Sequence, residues 1–407
     1  MLGVVVVAPY LGASMAHSLR CFVELEGVRV GVITHEPVER IAPALRERLA
    51  GHYKVDDATD PAQLATATRA FAKEWGGVDR LECYLEQLQV PVAIARDRVG
   101  IDGLGEAAAR NFRDKNRMKE TLRAAGVPVA RQARLTGPGD ARRFVEEVGF
   151  PVVLKPLDGA GAQSTFRVTD HPGLARALNQ LLPSADRPVQ AEAFVRGEEH
   201  TFETAFVDGE PVWSASCRYV PGPLEVMDTP WMQWCMLLPR EPDLPHVEAF
   251  RPVNRQALRA LGMRSGLSHM EWFRQADGRP VVSEVGARPP GANLMRLHGL
   301  AHGVDMWRMW ARLMVHRTWE MPERRFSVGC VFLRGQGHGR TVREVRGWEA
   351  VRARLGDTVA AAQLPRPGQP HSGHYEGDGW VIVRHPRTDG VLDALSQVVS
   401  GTQVILG

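Results

Sequence analysis

The sequence predicts a multidomain protein of mixed α/β and α+β class, and three features carry that prediction. At 407 residues the chain is longer than one hydrophobic core usually serves, so two or three domains are expected. Its N-terminal stretch alternates short apolar runs with helix-length segments, the rhythm of a doubly wound α/β sheet. Farther on, Asp208-Gly209 and Asp277-Gly278 each separate two extended runs and read as turns of antiparallel hairpins.

Taken in order, Val4–Ala8 reads as a buried strand, followed by a loop and a helix over Ser14–Glu26. The apolar start lacks a basic leader and Arg20 follows closely, which favours a first strand over a signal peptide. Val28–Thr34 is the next strand, with helices at Ile41–Leu49 and Pro61–Trp75. The first loop contains Gly12 but no GxGxxG, which argues against a dinucleotide-binding dehydrogenase. Glycines thicken at Gly100–Gly105, where a second unit is expected to begin. A helix from Ala107 to Ala125 stops at Gly126, with Pro128 just beyond.

A strand ending at Lys155, a helix over Pro172–Leu182 and a strand over Val189–Phe194 follow. Thr201–Phe206 and Pro211–Ser216 flank the first Asp-Gly turn. The stretch from Tyr219 to Pro245, with Trp231, Trp234 and Met236, reads as a long loop serving as a lid. Pro322 sets off a final segment with short strands at Val328–Leu333 and Trp380–Arg384. The expected division is 1–105, 106–320 and 321–407.

Composition narrows the function classes. A net charge of +3 and no long run of like charge give no reason to expect nucleic acid or an anionic membrane as partner. No apolar stretch is long enough to span a bilayer. Five scattered cysteines without metal-site spacing suit a reducing cytoplasm.

Only five of the fifty basic side chains are lysine: Lys54, Lys73, Lys115, Lys119 and Lys155. In so arginine-rich a chain, a remaining lysine marks a place for a compact point charge. Lys155 ends the run Phe150-Pro-Val-Val-Leu-Lys155 and leads into Asp158-Gly-Ala-Gly-Ala-Gln-Ser-Thr165. A strand, a lysine and then a small-residue loop can cradle a triphosphate with backbone N–H groups and an ammonium.

The second hairpin carries carboxylates. With Asp277-Gly278 as a two-residue turn, Glu271 lies opposite Glu284 on one face, about 5 Å apart at Cβ. Opposed carboxylates repel unless a cation lies between them, and Mg²⁺ shared with phosphate oxygens is the usual solution. The same alternation puts His269, Gly286 and Arg288 on that face, Arg288 being suited to developing negative charge.

In their order and spacing these residues resemble the ATP-grasp superfamily over about Asn111 to Leu313. The resemblance implies a two-lobed central fold, with a small lobe at about 126–190 and a large lobe at about 191–320. A doubly wound α/β domain would precede it and a small α+β domain follow. It implies that Lys115 and Lys155 contact ATP phosphates under a flap containing Gly159, Gly161 and Ser164. Glu192, Ala193 and Val195 would contact adenine, and Glu199 the ribose. Glu271 and Glu284 would hold Mg²⁺, with Mn²⁺ as a substitute. Lys155 and Arg288 would act in catalysis, Arg288 by steadying an acyl phosphate. One departure is Gly286, where many relatives carry an asparagine ligand, and His269 is the candidate to support the metal instead.

The activity implied is ligation of a small carboxylate, such as an amino acid, to an amine, with ADP and phosphate released. Alternatives are a biotin-carboxylase-like enzyme that activates bicarbonate and an ATP-binding regulator without turnover. Arg218, by a bidentate grip on a carboxylate, and Trp231, in an apolar pocket, are further candidates for substrate contact. A homodimer stays open.

Overall fold

The computed structural model describes residues 1–157, 165–229 and 231–407. The chain opens with β1 (Leu2–Val7), α1 (Ala13–Val23), β2 (Val28–Thr34), α2 (Pro43–Arg46), β3 (Gly51–Lys54), α3 (Pro61–Trp75), β4 (Arg80–Glu82) and α4 (Gln89–Val99). The strands pair in parallel in the order β3-β2-β1-β4. Val4 to Val7 are buried on both faces, as a parallel sheet covered by helices requires. Only Pro43–Arg46 of the helix expected over Ile41–Leu49 is α-helical, because the chain turns almost at once into the edge strand β3. The sequence reading also missed β4 and α4, which a buried Arg96–Glu82 ion pair at 2.8 Å ties together.

The single helix expected from Ala107 to Ala125 is two: α5 (Glu106–Arg113) and α6 (Lys115–Ala124). Asp114 between them is extended, and its carboxylate accepts from Arg117 N–H at 3.0 Å, an N-cap that starts a new helix. The small lobe comprises β5 (Gln132–Leu135), α7 (Pro138–Val148), β6 (Val152–Pro156), β7 (Phe166–Val168), α8 (His171–Leu181) and β8 (Val189–Ala193). Its sheet is antiparallel in the order β5-β8-β6-β7, with Leu135, Phe144, Leu154 and Leu178 in a core of its own.

The large lobe contains β9 (Glu198–Val207), β10 (Glu210–Ala215), β11 (Arg218–Val220), α9 (Pro223–Asp228), β12 (Trp234–Leu238), α10 (Pro245–Leu261), β13 (Gly266–Arg274) and β14 (Pro280–Gly286). Helices α11 (Leu294–His302) and α12 (Met306–His316) follow. Phe22 of α1 meets Trp310 of α12 edge-on at 5.3 Å, which docks the first domain on the large lobe.

The lid expected from Tyr219 to Pro245 is a correction, since β11, α9 and β12 occupy much of that stretch. β12 lies between β11 and the later strand β15 (Ser327–Leu333), so both of its edges are paired, and a core covers each face. Trp234 and Met236 face one core and Cys235 and Leu237 another, while Trp231 stays outside at 62% exposure.

The last segment adds β16 (Gly335–Gln336), β17 (Val342–Arg346), α13 (Trp348–Leu355), β18 (Val359–Gln363), β19 (Gly379–His385), α14 (Thr388–Gly401) and β20 (Gln403–Leu406). Its strands β15, β19 and β18 extend the central sheet, in the order β14-β13-β9-β11-β12-β15-β19-β18. One sheet therefore crosses the sequence position where a third domain was expected to begin. No helix of the described residues is long and apolar enough to cross a membrane.

Candidate active site

A cavity of about 220 Å³ lies between the small lobe and the front of the large-lobe sheet. Three lysines line it. Lys115 is the first residue of α6, and Lys119 stands one turn along on the same helix face. Lys155 projects from β6. Glu192, on β8, holds two of them, with Lys119 Nζ at 2.6 Å and Lys155 Nζ at 2.9 Å. The strand register explains the second contact: Lys155 pairs with Gln190, so Glu192 is its diagonal neighbour on the same face.

This cluster sets its own charge states. Burial alone would push the Glu192 carboxyl up, but the two lysines outweigh it and hold it at about 2. Burial strips water from Lys119 and pulls it down to about 8, whereas for Lys155 the pull of Glu192 and Glu284 overcomes burial and raises it. The resemblance had assigned Glu192 to adenine. Its carboxylate is instead taken up by two lysines, which leaves its main chain, with Ala193 and Val195, along the cavity wall.

On the opposite wall Glu271 of β13 faces Glu284 of β14, the pairing expected. The turn between the strands differs from the expected one. It runs over residues 275–279, closed by Gln275 N–H to Arg279 O at 3.0 Å and Gly278 N–H to Gln275 O at 2.8 Å. A β-bulge at Ser283 then restores the carboxylates to register: Trp272 pairs with Val282, and Glu271 with Glu284. Lys115 Nζ lies 3.0 Å from Glu284, and the Tyr219 hydroxyl donates to Glu271 at 3.3 Å. Burial opposes ionisation of Glu284, but Lys115 and Lys155 prevail and lower its pKa. For Glu199, burial and the charge of Glu271 outweigh the pull of Lys155 and keep its carboxyl well above the ordinary range.

His269 lies beside this pair. Its Nδ1 is 2.8 Å from Glu203 and its Nε2 3.8 Å from Glu271. Glu203 is fully buried and also meets His298 Nε2 at 3.0 Å and the Thr201 hydroxyl at 3.0 Å. Against the burial that disfavours charge, the bonds to Glu203 and Glu271 raise His269 to about 9, and the two histidines hold Glu203 at about 2. Across from His269, Gly286 has room: a Cβ there would find its nearest neighbours at 3.7–3.8 Å. Arg288 lines the same cavity and bonds Glu86, which arrives from the first domain.

Of the expected site residues, Lys115, Lys155, Glu192, Ala193, Val195, Glu199, His269, Glu271, Glu284 and Arg288 are thus gathered in one cavity. Gly159, Gly161 and Ser164 lie outside the described residues. Arg218 and Trp231 are not among the residues lining it: Arg218 bonds Glu198 at 2.8 Å on the other face of the sheet, and Trp231 is exposed. Lys119, Glu86, Tyr219 and Tyr375 line the cavity without having been anticipated there. For Lys119 the scarcity of lysine was the available signal. For Glu86, far away in sequence, there was none.

A small antiparallel lobe carrying lysines, closed over a large sheet carrying opposed glutamates, defines an ATP-grasp fold. No family model matches the chain. It is similar to the L-arginine-specific L-amino acid ligase of Bacillus subtilis, 25% identical over 299 residues, covering 72% of this chain and 70% of the relative. The alanine–anticapsin ligase of Bacillus subtilis (strain 168) is 27% identical over 278 residues, covering 62% of this chain and 57% of that protein. In structure it resembles an L-amino acid ligase from Bacillus licheniformis with a TM-score of 0.75 at 19% identity, over 100% of this chain and 99% of that one. The fold is thus shared with ATP-grasp enzymes, and the relatives to which the chain is similar in sequence are amino-acid ligases.

Proposed function

We propose that this protein joins the carboxylate of an amino acid, or a related small acid, to an amine at the expense of ATP, releasing ADP and phosphate. The observation that carries this is the meeting of Lys115, Lys119 and Lys155 with the opposed pair Glu271 and Glu284 in one cavity. Its donor set fits a divalent ion. Two carboxylates offer hard oxygen ligands, and Mg²⁺ held there would neutralise phosphate charge so that an acid can approach.

In this reading Glu271 and Glu284 would hold the metal, and Lys115, 3.0 Å from Glu284, would serve a phosphate oxygen. Lys155 holds the transferred phosphate, while Glu192 keeps Lys119 and Lys155 charged and positioned. Arg288, steadied by Glu86, faces the carbon where the acyl phosphate and then the oxyanion carry negative charge. Glu199, lining the same cavity, would contact a ribose hydroxyl. His269, held by Glu203, keeps Glu271 turned into the cavity. The N-terminal unit (1–105) would contribute Glu86, the central unit (106–320) the nucleotide site, and the last segment (321–407) Tyr375. Five buried free thiols suit a reducing compartment, and we assign the protein to the cytoplasm.

Hydroxylamine trapping with ATP and Mg²⁺ over a panel of amino acids and small acids tests the reading, with Lys155→Ala as blank. Hydroxamate from a subset of acids is expected. ATP binding without ADP release across the whole panel would refute it in favour of a regulator.

A further inference from the structure

A second cavity, of about 240 Å³, lies on the reverse of the central sheet. We propose that it is a binding site for a small oxyanion, of the carboxylate or phosphate kind.

The two cavities stand back to back because strand residues alternate between faces. Glu199, Tyr219, Glu271 and Phe273 line the front cavity. Their chain neighbours Glu198, His200, Arg218 and Arg274 line the rear one. Arg324 and His246 complete its basic wall.

Two buried nitrogens in this wall make no hydrogen bond among the described residues. Arg324 is 6% exposed, its Nη1 donates to Pro239 O at 2.8 Å, and its buried Nε bonds nothing among the described residues. No carboxylate among the described residues comes within ion-pair distance of it. His200 is 3% exposed and stacks on Trp272 at 4.9 Å. Its buried Nε2 makes no hydrogen bond, the nearest acid oxygen, on Glu198, being 3.7 Å away. Buried polar atoms are nearly always satisfied, so the unpaired Arg324 Nε, a donor in every state, points to a missing acceptor in this cavity.

The acids of the wall are already engaged. Glu198 is shared by Arg218 at 2.8 Å and Arg274 at 3.4 Å, and Glu241 accepts from the Thr388 hydroxyl at 2.6 Å. They therefore leave Arg324 uncompensated. Helix α10 also begins here, with Leu244 as an N-cap that supplies no side-chain bond, and its positive end adds to the pull on an anion. Arg218, expected from sequence to grip a carboxylate, would do so on this face.

The test is calorimetric titration of the full chain with sodium phosphate and, separately, sodium acetate, against chloride at matched ionic strength. The variants are Lys155→Ala in the front cavity and Arg324→Leu and Arg218→Ala in the rear. Arg218, whose side chain is 45% exposed, can be replaced without opening the core. A binding event is expected that persists in Lys155→Ala, apart from any front-cavity binding, and is weakened about tenfold or more in each rear variant. Response to acetate alone identifies a carboxylate ligand, and response to phosphate alone identifies phosphate. Binding lost in Lys155→Ala but kept in Arg218→Ala, or no binding of either probe, overturns the proposal. Because binding is read without turnover, its failure is separate from failure of the ligase reading.

Discussion

Glu271 and Glu284 face each other across neighbouring strands because Ser283 bulges out of the pairing between them and the turn. Without the bulge, the observed turn, which pairs Arg274 with Pro280, would bring Ser283 opposite Glu271 and Glu284 opposite Met270. With it, Val282 joins Trp272 in the core while Glu284 still enters the cavity. The local break in the ladder thus reconciles a hydrophobic core on one face with a charged site on the other.

Replacing either carboxylate by its amide should remove a metal ligand while preserving shape. Glu271→Gln and Glu284→Gln are expected to lower kcat about 100-fold or more, with the circular dichroism spectrum unchanged. ADP release measured against Mg²⁺ concentration checks this, and near-normal turnover in either variant would remove the pair from the mechanism.

Gly286 has space for a side chain and needs no left-handed backbone. Gly286→Asn should therefore fold normally and supply an additional oxygen near the carboxylates. The Mg²⁺ concentration for half-maximal turnover is expected to fall severalfold. A rise would show that His269 already fills that place.

Lys119 is buried, and removing it leaves Glu192 with one cation instead of two. Lys119→Met should destabilise the protein by about 3 kcal/mol, read from denaturant unfolding. Removing the carboxylate as well, in Lys119→Met/Glu192→Gln, restores the local net charge and should recover part of that stability but not activity, since Lys155 would then lose its anchor. Full recovery of turnover would show that Glu192 has no positioning role.

The Glu203–His269 pair predicts a pH signature in stability. Glu203 is held at about 2, so its contribution is present above its ordinary pKa near 4.5 and fades as pH falls toward 2. His269 is raised to about 9, so its contribution is complete below about 6.5 and is lost as pH rises through 9. Urea midpoints across pH should show the alkaline decline in the parent protein and a flatter profile in His269→Asn. An identical alkaline decline in that variant would assign it to another group.

The two tryptophans of the supposed lid should behave oppositely. Trp234 is buried and stacks on Phe332 at 4.3 Å, so Trp234→Ala should cost about 3–5 kcal/mol. Trp231→Ala, at an exposed position, should change stability by less than about 0.5 kcal/mol. Equal effects on thermal unfolding would contradict the placement of β12.

Sequence by itself determined what local chemistry can specify. Short apolar runs marked β1 and β2, and the Asp-Gly turn marked β9 with β10. The scarcity of lysine and the spacing of Glu271 from Glu284 picked out residues that meet in one cavity before any contact was visible. The tertiary structure decided what depends on neighbours distant along the chain. Trp234 looked like part of a lid because its stretch is rich in proline and aromatics; it is core because β15, nearly a hundred residues away, covers β12. Arg218 looked like a substrate ligand, yet strand alternation turns it away from the lysines. Glu86 reaches Arg288 only because the first domain docks where it does. Periodicity and residue type act over a few residues and can be read directly. Which face a strand buries, and which charges meet, follows from packing between segments that the sequence keeps apart.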